Sequence, residues 1–574
     1  MHRVLSMYIT PVLRRLGVRG GAGMLALAVV AVAAQTAAGP APASAAPRPA
    51  HAQPQVIHPD GRIHVGAARV VSFGTRAKAW QARHHQHTAP PRRTASRVTP
   101  FAANTTAFNG IGQGDCPLCM AEPVAVTSAN GGQILEAISP DDLTGFVKVF
   151  GKDGTALCGG GMPLDEFLGV PRMDVRSVQL QYDAASDQFL VEAAAGTTAP
   201  KVLIASTTAH DACGTWHVSS LSVGDGPSFV RAGQDARAVL LSVDTSTGGT
   251  NVTDLAAVPK ADLYAGTPLS VETFTIANNE PRPATAGSPA ISTPASYFLG
   301  GEGRNQYVLY TMTGTGTPAP GLTSQPISGG APIPPGNDSD NISAPAFDGS
   351  RVWFTQGVNT GNGFSVRYGY VNVVTDSMTE GQISAAAGVA DAASIAASPN
   401  ADGTVSVFLD WLTEPALGAV PVRDFVKSFI YPGSGPLPGS ASSDQNVAIF
   451  DVANTSFASS AAMDPGTANG PCAVTAQPSG LTDGTWTTRV RRKCGLATPV
   501  AMPSVTGDTQ AAAVSAVQAV GLTASVTDVT TEGGGCDATT TGTIFAQNPP
   551  PAAAVSFGAP VSLSLCDLTL VPEM

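Results

Sequence analysis

Charge, aromatic rings and long apolar runs are all scarce in this chain, and each shortage excludes a class of protein. Charged residues make up 13% and aromatic residues 6% of its 574 residues, whereas soluble domains average about 25% charged residues. Such low charge excludes a coiled coil and a highly charged disordered protein. Beyond residue 34, no apolar run approaches the roughly 20 residues that a membrane-spanning helix needs, which excludes a multi-pass membrane protein.

Turn-forming residues are abundant instead. The chain holds 62 glycines and 46 prolines, which favour turns and interrupt long helices. Its length also exceeds that of one typical domain. We therefore expect a large protein of strands and turns with more than one domain, rather than a helix-rich cytosolic enzyme.

Residues 1–45 have the parts of an export signal. Four arginines precede an unbroken apolar stretch at Met24–Ala34, and Ala43–Ala45 offers a small-residue cleavage site. The stretch is too short to cross a bilayer comfortably, although an uncleaved anchor is the alternative. We expect a general secretory signal peptide and a mature protein that is secreted or extracellular and not transmembrane after cleavage.

Residues 46–103 form a basic segment rich in proline, alanine and histidine. They hold nine Arg or Lys residues against one acid, Asp60, and six of the nine histidines of the chain. We expect a disordered linker that its charge attracts to anionic envelope polymer. Metal binding by His84, His85 and His87 is the alternative, but no Cys or carboxylate accompanies these histidines.

The remaining chain is acidic. Residues 104–574 carry 18 basic and 41 acidic side chains and only two histidines, His210 and His217. Nucleic-acid binding depends on clustered Lys and Arg that neutralise phosphates. We therefore expect no nucleic-acid partner.

Eight cysteines in an exported chain favour disulfides. They stand at Cys116, Cys119, Cys158, Cys213, Cys472, Cys494, Cys536 and Cys566. Eight cysteines allow about 105 pairings, and sequence proximity favours joining them in consecutive pairs. The first pair matches a redox Cys-x-x-Cys motif, but no βαβ pattern surrounds it, so we expect a structural bridge.

The region 104–493 shows almost no helical periodicity. Nine β-prone runs recur between Gly, Asn, Asp and Pro clusters: Phe146–Phe150, Val178–Tyr182, Gln188–Glu192, Val202–Ser206, Ala238–Val243, Tyr307–Met312, Val352–Thr355, Val366–Val374 and Val405–Leu409. An Asp-Gly turn feeds an apolar strand near Asp153, Asp348 and Asp402, and the last two turns are about 54 residues apart, which suits one four-stranded propeller blade. A β-propeller of about seven blades is the prediction, and an array of β-sandwiches is the alternative.

The same region resembles a group of secreted bacterial β-propeller proteins of unestablished activity. The resemblance rests on five short motifs: Gln181-Tyr182-Asp183 with Phe189-Leu190-Val191, Ala205-Ser206-Thr207 with Asp211 and Gly214-Thr215-Trp216, Val258-Pro259-Lys260-Ala261-Asp262-Leu263, Asp348 with Arg351-Val352-Trp353, and Met463-Asp464-Pro465 with Trp486-Thr487-Thr488-Arg489. It implies a fold more than a function, because propellers include both binding proteins and enzymes.

No catalytic set stands out, so the catalytic residues stay unknown. Asp211–Trp216 and Asp483–Trp486 come close to the Asp box of sialidases but have the wrong spacing. Seven arginines could supply an arginine triad for a substrate carboxylate, and nothing in their spacing selects three: Arg172, Arg176, Arg231, Arg237, Arg304, Arg351 and Arg367. A Ser-His-Asp triad would need His210 or His217, which we interpret as surface or packing residues.

Two further groups have weak functional signals. Asp410, Trp411 and Glu414 could serve glycoside hydrolysis, with the indole for sugar stacking, but a strand-end turn is the interpretation we favour. The Asn337–Asn341 segment offers oxygen ligands for Ca²⁺ and lacks the Gly and bidentate Glu of a calcium loop. We expect no cofactor, with calcium as the one alternative.

The C-terminal region 497–570 has a different pattern. Thr509–Val520 is amphipathic, with Asp508 as a possible cap and Gly521 at its end. Strand patterns follow at Leu522–Val529, Gly542–Ala546 and Pro560–Leu565. The expected fold of this part is a small α+β unit.

This region resembles a PASTA domain, the βαβββ module of penicillin-binding proteins and cell-wall-sensing kinases. The matching positions are Pro503–Gly507, Ala513, Val517, Gly521-Leu522, Gly542–Ile544, Gln547–Pro549, Val555, Gly558 and Val561–Leu563. Ala552 stands where the pattern usually has Gly, and the insert at Gly533–Cys536 is a second departure. The resemblance implies affinity for peptidoglycan, although single copies of this domain often bind weakly.

These features predict a cell-wall-associated binding protein rather than an enzyme. The propeller would present the interaction surface, and the PASTA-like tail would bind peptidoglycan or another envelope polysaccharide. The alternative is a propeller enzyme, either a polysaccharide lyase or a glycoside hydrolase, that acts on an extracellular glycan.

Overall fold

The computed structural model describes most of the chain beyond the N-terminal region. The described residues are 54–84, 105–117, 119, 124–129, 132–139, 145–170, 174–196, 201–223, 225–247, 250–277, 280–289, 291–302, 306–328, 342–359, 364–383, 389–400, 402–414, 423–433, 437, 444–445, 460–464, 471–480, 486–494, 500–519, 523–531, 533, 535–555 and 560–568. The expected signal peptide lies outside them.

The first described elements are short. They are β1 (Gln55–Ile57), β2 (Gly61–Val65), β3 (Arg69–Ser72), helix α1 (Phe73–His84) and β4 (Thr105–Gly112).

Seven mostly antiparallel sheets of four or five strands follow along the chain. Sheet 1 contains β5 (Val124–Ser128), β6 (Gln133–Ile138), β7 (Phe146–Gly151) and β8 (Met162–Pro163). Sheet 2 contains β9 (Val175–Asp183), β10 (Gln188–Ala195), β11 (Lys201–Thr207) and β12 (Thr215–Leu221). Sheet 3 contains β13 (Asp225–Gln234), β14 (Ala238–Thr247), β15 (Thr250–Pro259) and β16 (Leu269–Ala277). Helices α2 (Leu164–Leu168) and α3 (Lys260–Ala265) follow β8 and β15.

The remaining four sheets continue the same pattern. Sheet 4 contains β17 (Arg282–Pro283), β19 (Ala295–Glu302), β20 (Gln306–Thr313) and β21 (Gly321–Pro326). Sheet 5 contains β18 (Thr285–Ala286), β22 (Ala346–Phe347), β23 (Arg351–Asn359), β24 (Phe364–Asn372) and β25 (Ser377–Ile383). Sheet 6 contains β26 (Val389–Pro399), β27 (Val405–Glu414), β28 (Arg423–Tyr431) and β29 (Asp444–Gln445). Sheet 7 contains β30 (Ser460–Asp464), β31 (Cys472–Gly480), β32 (Trp486–Cys494) and the early strand β4.

The mainly β fold class is confirmed. All nine runs that the sequence marks as β-prone lie in strands, although the run that begins at Val366 ends at Asn372, two residues earlier than predicted. Central strands such as β10 are buried along nearly their whole length, because apolar clusters lie on both faces of their sheets. The region therefore folds by stacking sheets face to face.

Apolar clusters fill the space between consecutive sheets. Val149 of sheet 1 packs in one cluster with Phe189 and Trp216 of sheet 2, and similar clusters join each later sheet to the next. Another cluster joins sheet 7 to sheet 1 and includes Val474 and Phe150. Each fully buried side chain of this kind contributes about 1.5–3 kcal/mol.

Hydrogen bonds also connect sheet 7 to sheet 1. The Ser128 hydroxyl donates to Asp464 Oδ1 at 2.7 Å, and the Val126 amide donates to Ser460 Oγ at 3.2 Å. Strand β4, which precedes sheet 1 in the chain, pairs antiparallel with β32 of sheet 7. Residues separated by more than 300 positions therefore meet in one sheet.

The Asp-Gly turns form as the sequence predicts. Asp153 Oδ1 accepts a hydrogen bond from the Thr155 amide at 2.9 Å, and Asp402 Oδ1 accepts one from the Thr404 amide at 3.0 Å. The glycine between has φ +83° in the first turn, a conformation that side chains with a Cβ rarely adopt. Each aspartate thus fixes a tight connection between neighbouring strands.

The N-terminal strands occupy the outer edges of three sheets. Strand β1 pairs with β21 of sheet 4, β2 with β16 of sheet 3, and β3 with β12 of sheet 2. Helix α1 continues towards sheet 1, where Phe73 joins the cluster between sheets 1 and 2. This N-terminal belt, residues 54–84, follows the sheets in reverse order.

The belt differs from the disordered linker expected over 46–103. Residues 54–84 form three strands and a helix because Val65, Val71 and Phe73 bury apolar surface against existing sheets. The β-prone runs that carry these residues are short and lie among basic residues, so the sequence pattern alone did not indicate strands there. The rest of the expected linker lies outside the described residues.

The eight cysteines lie in four pairs at disulfide distance. They are Cys116–Cys119, Cys158–Cys213, Cys472–Cys494 and Cys536–Cys566, the pairs that sequence proximity favours. The second pair joins a turn of sheet 1 to a turn of sheet 2, and the third links the paired strands β31 and β32. Such bridges are typical of oxidising, extracellular compartments.

The C-terminal region forms a separate small core. Its elements are β33 (Val500–Ala501), α4 (Gln510–Ala519), β34 (Thr523–Val529), β35 (Ile544–Asn548), β36 (Ala554–Val555) and β37 (Pro560–Cys566). Strand β37 lies between β34 and β35. Ala513 and Val517 of the helix are buried against these strands, as the amphipathic pattern predicts.

The cap of helix α4 differs from the prediction. The Thr509 hydroxyl, rather than Asp508, accepts a hydrogen bond from the Ala512 amide at 3.4 Å. The Asp508 carbonyl instead accepts a hydrogen bond from the Ile544 amide at 2.9 Å, which connects the start of the helix to strand β35. The helix therefore begins one residue later than the sequence suggests.

Candidate functional site

A cavity of about 440 Å³ lies among the first strands of the seven sheets. Residues from β5, β9, β13, β17, β18, β26 and β30 all contribute to its wall. Its volume falls within the range of about 300–1,000 Å³ that is usual for ligand sites. A cavity shared by all seven sheets is therefore the candidate functional site.

The cavity wall is polar on one side only. Sheets 2, 3 and 4 contribute Gln179, Gln181, Gln234, Arg231 and Arg282. The sheets opposite contribute mostly Ala, Ser and Gly. Among the described residues that line it, none is Asp or Glu. The wall thus offers amide groups and guanidinium donors to a ligand.

Arg231 is the most tightly held of the cavity residues. Its side chain is 10% exposed, and its guanidinium lies 2.6 Å from Asp244 Oδ1 and 2.9 Å from Glu280 Oε2. Asp244 lies on the neighbouring strand β14 and also accepts a hydrogen bond from the Thr253 hydroxyl at 3.0 Å. Two carboxylates thus fix one guanidinium at the wall, since a buried arginine needs such partners.

Glu280 precedes β17 and has an unusual backbone. Its φ is +29°, within the left-handed region that a residue with a Cβ rarely occupies. Its side chain is one-third exposed in the pair with Arg231. The loop therefore holds a partly accessible carboxylate beside the cavity.

Phe229 lies next to this group and is about half exposed. It stands two residues before Arg231 on β13, so both side chains are on the same face of the strand. The ring centroid lies 6.0 Å from the Arg231 guanidinium carbon, and Asp244 is its direct cross-strand partner. Phe229 is 47% exposed, which is unusual for a large aromatic residue.

A buried polar network supports the glutamines of the wall. Lys260 Nζ donates to Gln234 Oε1 at 2.8 Å and lies 3.0 Å from Asp183 Oδ2, which also accepts the Tyr264 hydroxyl at 2.7 Å. Burial lowers the pKa of Lys260, against the effect of Asp183. Burial would raise the pKa of Asp183, but the Lys260 charge and the Tyr264 hydrogen bond outweigh it and lower that pKa. Lys260 thus connects Asp183 to Gln234 and fixes the Gln234 side chain.

Gln181 is fixed by a second buried carboxyl group. Its Nε2 donates to Glu192 Oε1 at 3.1 Å across strands β9 and β10. Glu192 is fully buried, and desolvation raises its pKa to about 8 despite the Gln181 hydrogen bond. Within the described part of the chain, Gln181 Oε1 and Glu192 Oε2 have no hydrogen-bond partner. A protonated Glu192 could donate to Gln181 and complete a two-bond pair.

Glu136 is a similar buried group at a different place. Burial raises its pKa to about 7, against hydrogen bonds from Thr488 and the Ile111 amide. The Ile111 amide donates to its Oε2 at 2.9 Å. Glu136 therefore connects sheet 1 to strands β4 and β32 of sheet 7 rather than to the cavity.

The seven candidate arginines separate in the structure. Of those described, only Arg231 lines the cavity. Arg176 reaches the Pro227 carbonyl, and Arg367 donates to the Tyr307 hydroxyl. Arg237 donates to Thr293, and Arg351 forms an ion pair with Asp348. Arg172 and Arg304 lie outside the described residues.

The two histidines have packing or surface positions. His217 Nδ1 lies 2.9 Å from the Tyr264 carbonyl oxygen, and His210 is exposed in the turn before β12. Neither residue lines the cavity. The first Asp-box-like turn is structural, because Asp211 accepts the Cys213 amide and Trp216 is fully buried. Part of the second turn lies outside the described residues.

The remaining candidates are also placed away from the cavity or outside the described part. Asp410 and Trp411 are buried, so this indole is not a surface for sugar stacking, and the Glu414 side chain is outside the description. The Asn337–Asn341 segment, His85 and His87 are outside it too. Among the residues the structure does describe, there is no metal-binding group of three His, Cys, Asp or Glu side chains.

Sequence reasoning did not find Phe229, Arg282, Asp244 or Glu280. These residues come from four different strands or loops, and none belongs to a local motif. Only the pairing of β13 with β14 and the approach of the loop before β17 bring them together.

The described helices are all too short or too polar to cross a membrane.

The chain contains a PASTA domain. The family's sequence pattern matches residues 500–567, the region that holds helix α4 and strands β33–β37. This confirms the sequence prediction for the C-terminal tail. No curated protein matches the chain.

The chain also shows weak structural similarity to several solved structures. A subtype N11 neuraminidase-like protein of the flat-faced bat H18N11 strain has a TM-score of 0.35 at 10% identity, and the match covers 67% of this chain and 99% of the neuraminidase-like chain. The endosialidase of phage phi92 has a TM-score of 0.35 at 8% identity, and the match covers 65% of this chain and 67% of the endosialidase chain. A family PL25 polysaccharide lyase, an ulvan lyase, has a TM-score of 0.33 at 9% identity, and the match covers 66% of this chain and 97% of the lyase chain. Likenesses this distant carry no functional argument.

Proposed function

We propose that this protein is exported, attaches to the cell wall through its PASTA domain and presents a propeller as a binding surface. The PASTA match at residues 500–567 is the observation that carries the proposal. PASTA domains occur on proteins that bind peptidoglycan. The four disulfides support an extracellular setting, and the N-terminal residues fit a cleaved signal peptide.

The seven sheets are the blades of a closed propeller in this proposal. Support comes from the contacts between sheet 7 and sheet 1, including the Ser128–Asp464 hydrogen bond. The pairing of β4 with β32 adds backbone hydrogen bonds between the last blade and the strand that precedes the first blade in the chain, a device that removes an open sheet edge. The cavity among the first strands then lies on the axis of the ring.

Sedimentation with insoluble peptidoglycan tests the attachment. We expect the exported chain to sediment and a variant that ends at residue 494 to stay in the supernatant. The variant's far-UV circular dichroism should retain the β signal of the sheets. The proposal fails if the exported chain stays in solution, or if both chains sediment equally.

A glycan-cleaving enzyme is the second candidate, and one observation favours it. Asp244 and Glu280 both contact Arg231 beside the cavity, and glycosidases use paired carboxylates. Both carboxylates are, however, committed to an ion pair, and no Asp or Glu is found among the described lining residues. Release of reducing ends from wall and extracellular polysaccharides would establish the enzyme and displace the binding role.

A further inference from the structure

Phe229, Arg231, Asp244 and Glu280 form one contiguous group, which we call the Phe229 cluster. Arg231 holds the two carboxylates at 2.6 and 2.9 Å, and the Phe229 ring lies 6.0 Å from the same guanidinium. Arg231 also lines the 440 Å³ cavity. The cluster therefore connects an exposed ring to the cavity wall.

An exposed ring of this kind is not explained by packing. Phe229 is 47% exposed, whereas an aromatic side chain gains stability mainly by burying its surface. Its neighbours are a guanidinium donor and two carboxylate acceptors, and both carboxylates remain partly accessible, at 15% and 33% exposure. An apolar platform bordered by fixed donors and acceptors matches the face and the hydroxyl edge of a pyranose ring.

The charge of the cluster selects among sugars. It holds one more carboxylate than guanidinium, so its carboxylates offset the attraction of Arg231 for an anionic sugar. The folded region adds to this effect, with 41 acidic against 18 basic side chains over residues 104–574. The neighbouring wall adds the guanidinium of Arg282 and the uncharged amides of Gln179, Gln181 and Gln234. The cluster and this wall together thus hold two guanidinium groups and two carboxylates, and a site without net charge suits the hydroxyl or acetamido groups of a neutral sugar.

We infer that the Phe229 cluster binds a neutral pyranose chain, with one sugar ring stacked on Phe229 and its hydroxyl groups held by Arg231, Asp244 and Glu280. The chain then extends into the cavity beside the glutamines. This assignment rests on the proposed function, since it names the ligand class of the propeller's binding surface. It is a binding subsite and requires no covalent step.

Calorimetric titration of the exported chain with defined tetrasaccharides tests the inference. The probes are cellotetraose and chitotetraose, which are neutral, and tetragalacturonate, which is anionic. We expect one or both neutral probes to bind and tetragalacturonate to bind more weakly. Comparison of the two neutral probes shows whether hydroxyl or acetamido groups are preferred.

Two variants and a control connect binding to the ring. Phe229→Ala should weaken binding of the neutral probe by about tenfold or more, as expected for a central aromatic contact, and Phe229→Trp should retain binding. Val374→Ala is the matched control, because Val374 is 80% exposed and does not line the cavity. Phe229 is at the surface, so its truncation should leave the circular dichroism unchanged.

The inference is overturned if Phe229→Ala binds as tightly as the wild type, if tetragalacturonate binds best, or if no neutral probe binds. The attachment proposal is separable from it. Sedimentation with peptidoglycan but no tetrasaccharide binding would refute the subsite alone. Tetrasaccharide binding that depends on Phe229, in a chain that does not sediment, would refute the attachment alone.

Discussion

Replacement of Glu192 by Gln should change how the stability of the protein depends on pH. Glu192 is fully buried, and burial raises its pKa from 4.5 to about 8. Between these pH values the folded state holds one proton more than the unfolded state. The free energy of unfolding therefore falls as pH rises, by about 1.4 kcal/mol per pH unit.

The total effect follows from the size of the shift. Over the interval from pH 4.5 to pH 8, the wild type loses about 5 kcal/mol of stability through this one group. Below and above that interval, the contribution of Glu192 to the free energy of unfolding does not change with pH. In Glu192→Gln the amide can accept from Gln181 Nε2 and donate to Gln181 Oε1, so the pairing is kept while the titration is removed.

Urea unfolding followed by tryptophan fluorescence, at several pH values between 5 and 9, measures this difference. We expect Glu192→Gln to match the wild type near pH 5 and to exceed it by several kcal/mol at pH 9. Glu136→Gln is the internal comparison, because burial raises the pKa of Glu136 only to about 7. Its variant should lose the share of the slope that Glu136 contributes between pH 4.5 and pH 7, worth about 3 kcal/mol. It should keep the slope that Glu192 contributes up to pH 8.

Equal slopes for the wild type and Glu192→Gln between pH 7 and pH 8 would refute the reasoning. Such a result would mean that Glu192 is ionised in the folded protein near pH 7. The Gln181–Glu192 pair could not then form two hydrogen bonds. The placement of Gln181 at the cavity wall would need another explanation.

Two further predictions concern stability in other parts of the chain. Removal of the Cys158–Cys213 pair, by Ser at both positions, should cost about 4 kcal/mol, because the bridge closes a loop with a sequence separation of 55. A urea midpoint equal to that of the oxidised wild type would contradict this. Ala552→Gly should stabilise the PASTA domain by about 0.5–1 kcal/mol, since Ala552 has φ +62° and glycine tolerates that conformation. Ala553→Gly is its control and should lower the melting temperature, whereas a loss of stability in Ala552→Gly would count against the strain argument.

Local features were predictable where a few neighbouring residues decide the structure. The turns at Asp153 and Asp402 form because the carboxylate bonds an amide two residues later, and that interaction needs no distant partner. Helix α4 follows from the spacing of Ala513 and Val517. The PASTA domain was recognisable because helix, turn and strands follow one another within about 70 residues.

The N-terminal belt was not predictable because its partners are far away in the chain. Gln55 pairs with Ser324 in sheet 4, and nothing near Gln55 indicates that edge. Three to five residues form each belt strand, too few for periodicity to separate them from a basic linker. The open sheet edges determine their structure.

The sequence by itself determined the mainly β fold, the acidic character of the folded region, the PASTA domain and a pairing of cysteines by proximity. These depend on composition and on contacts between near neighbours, which a linear pattern records. Only the tertiary structure decided which of seven candidate arginines lines the cavity and that Phe229 remains exposed beside it. The reason is geometric: the cavity wall takes a few residues from each of seven sheets, so its chemistry exists only when those strands are brought together.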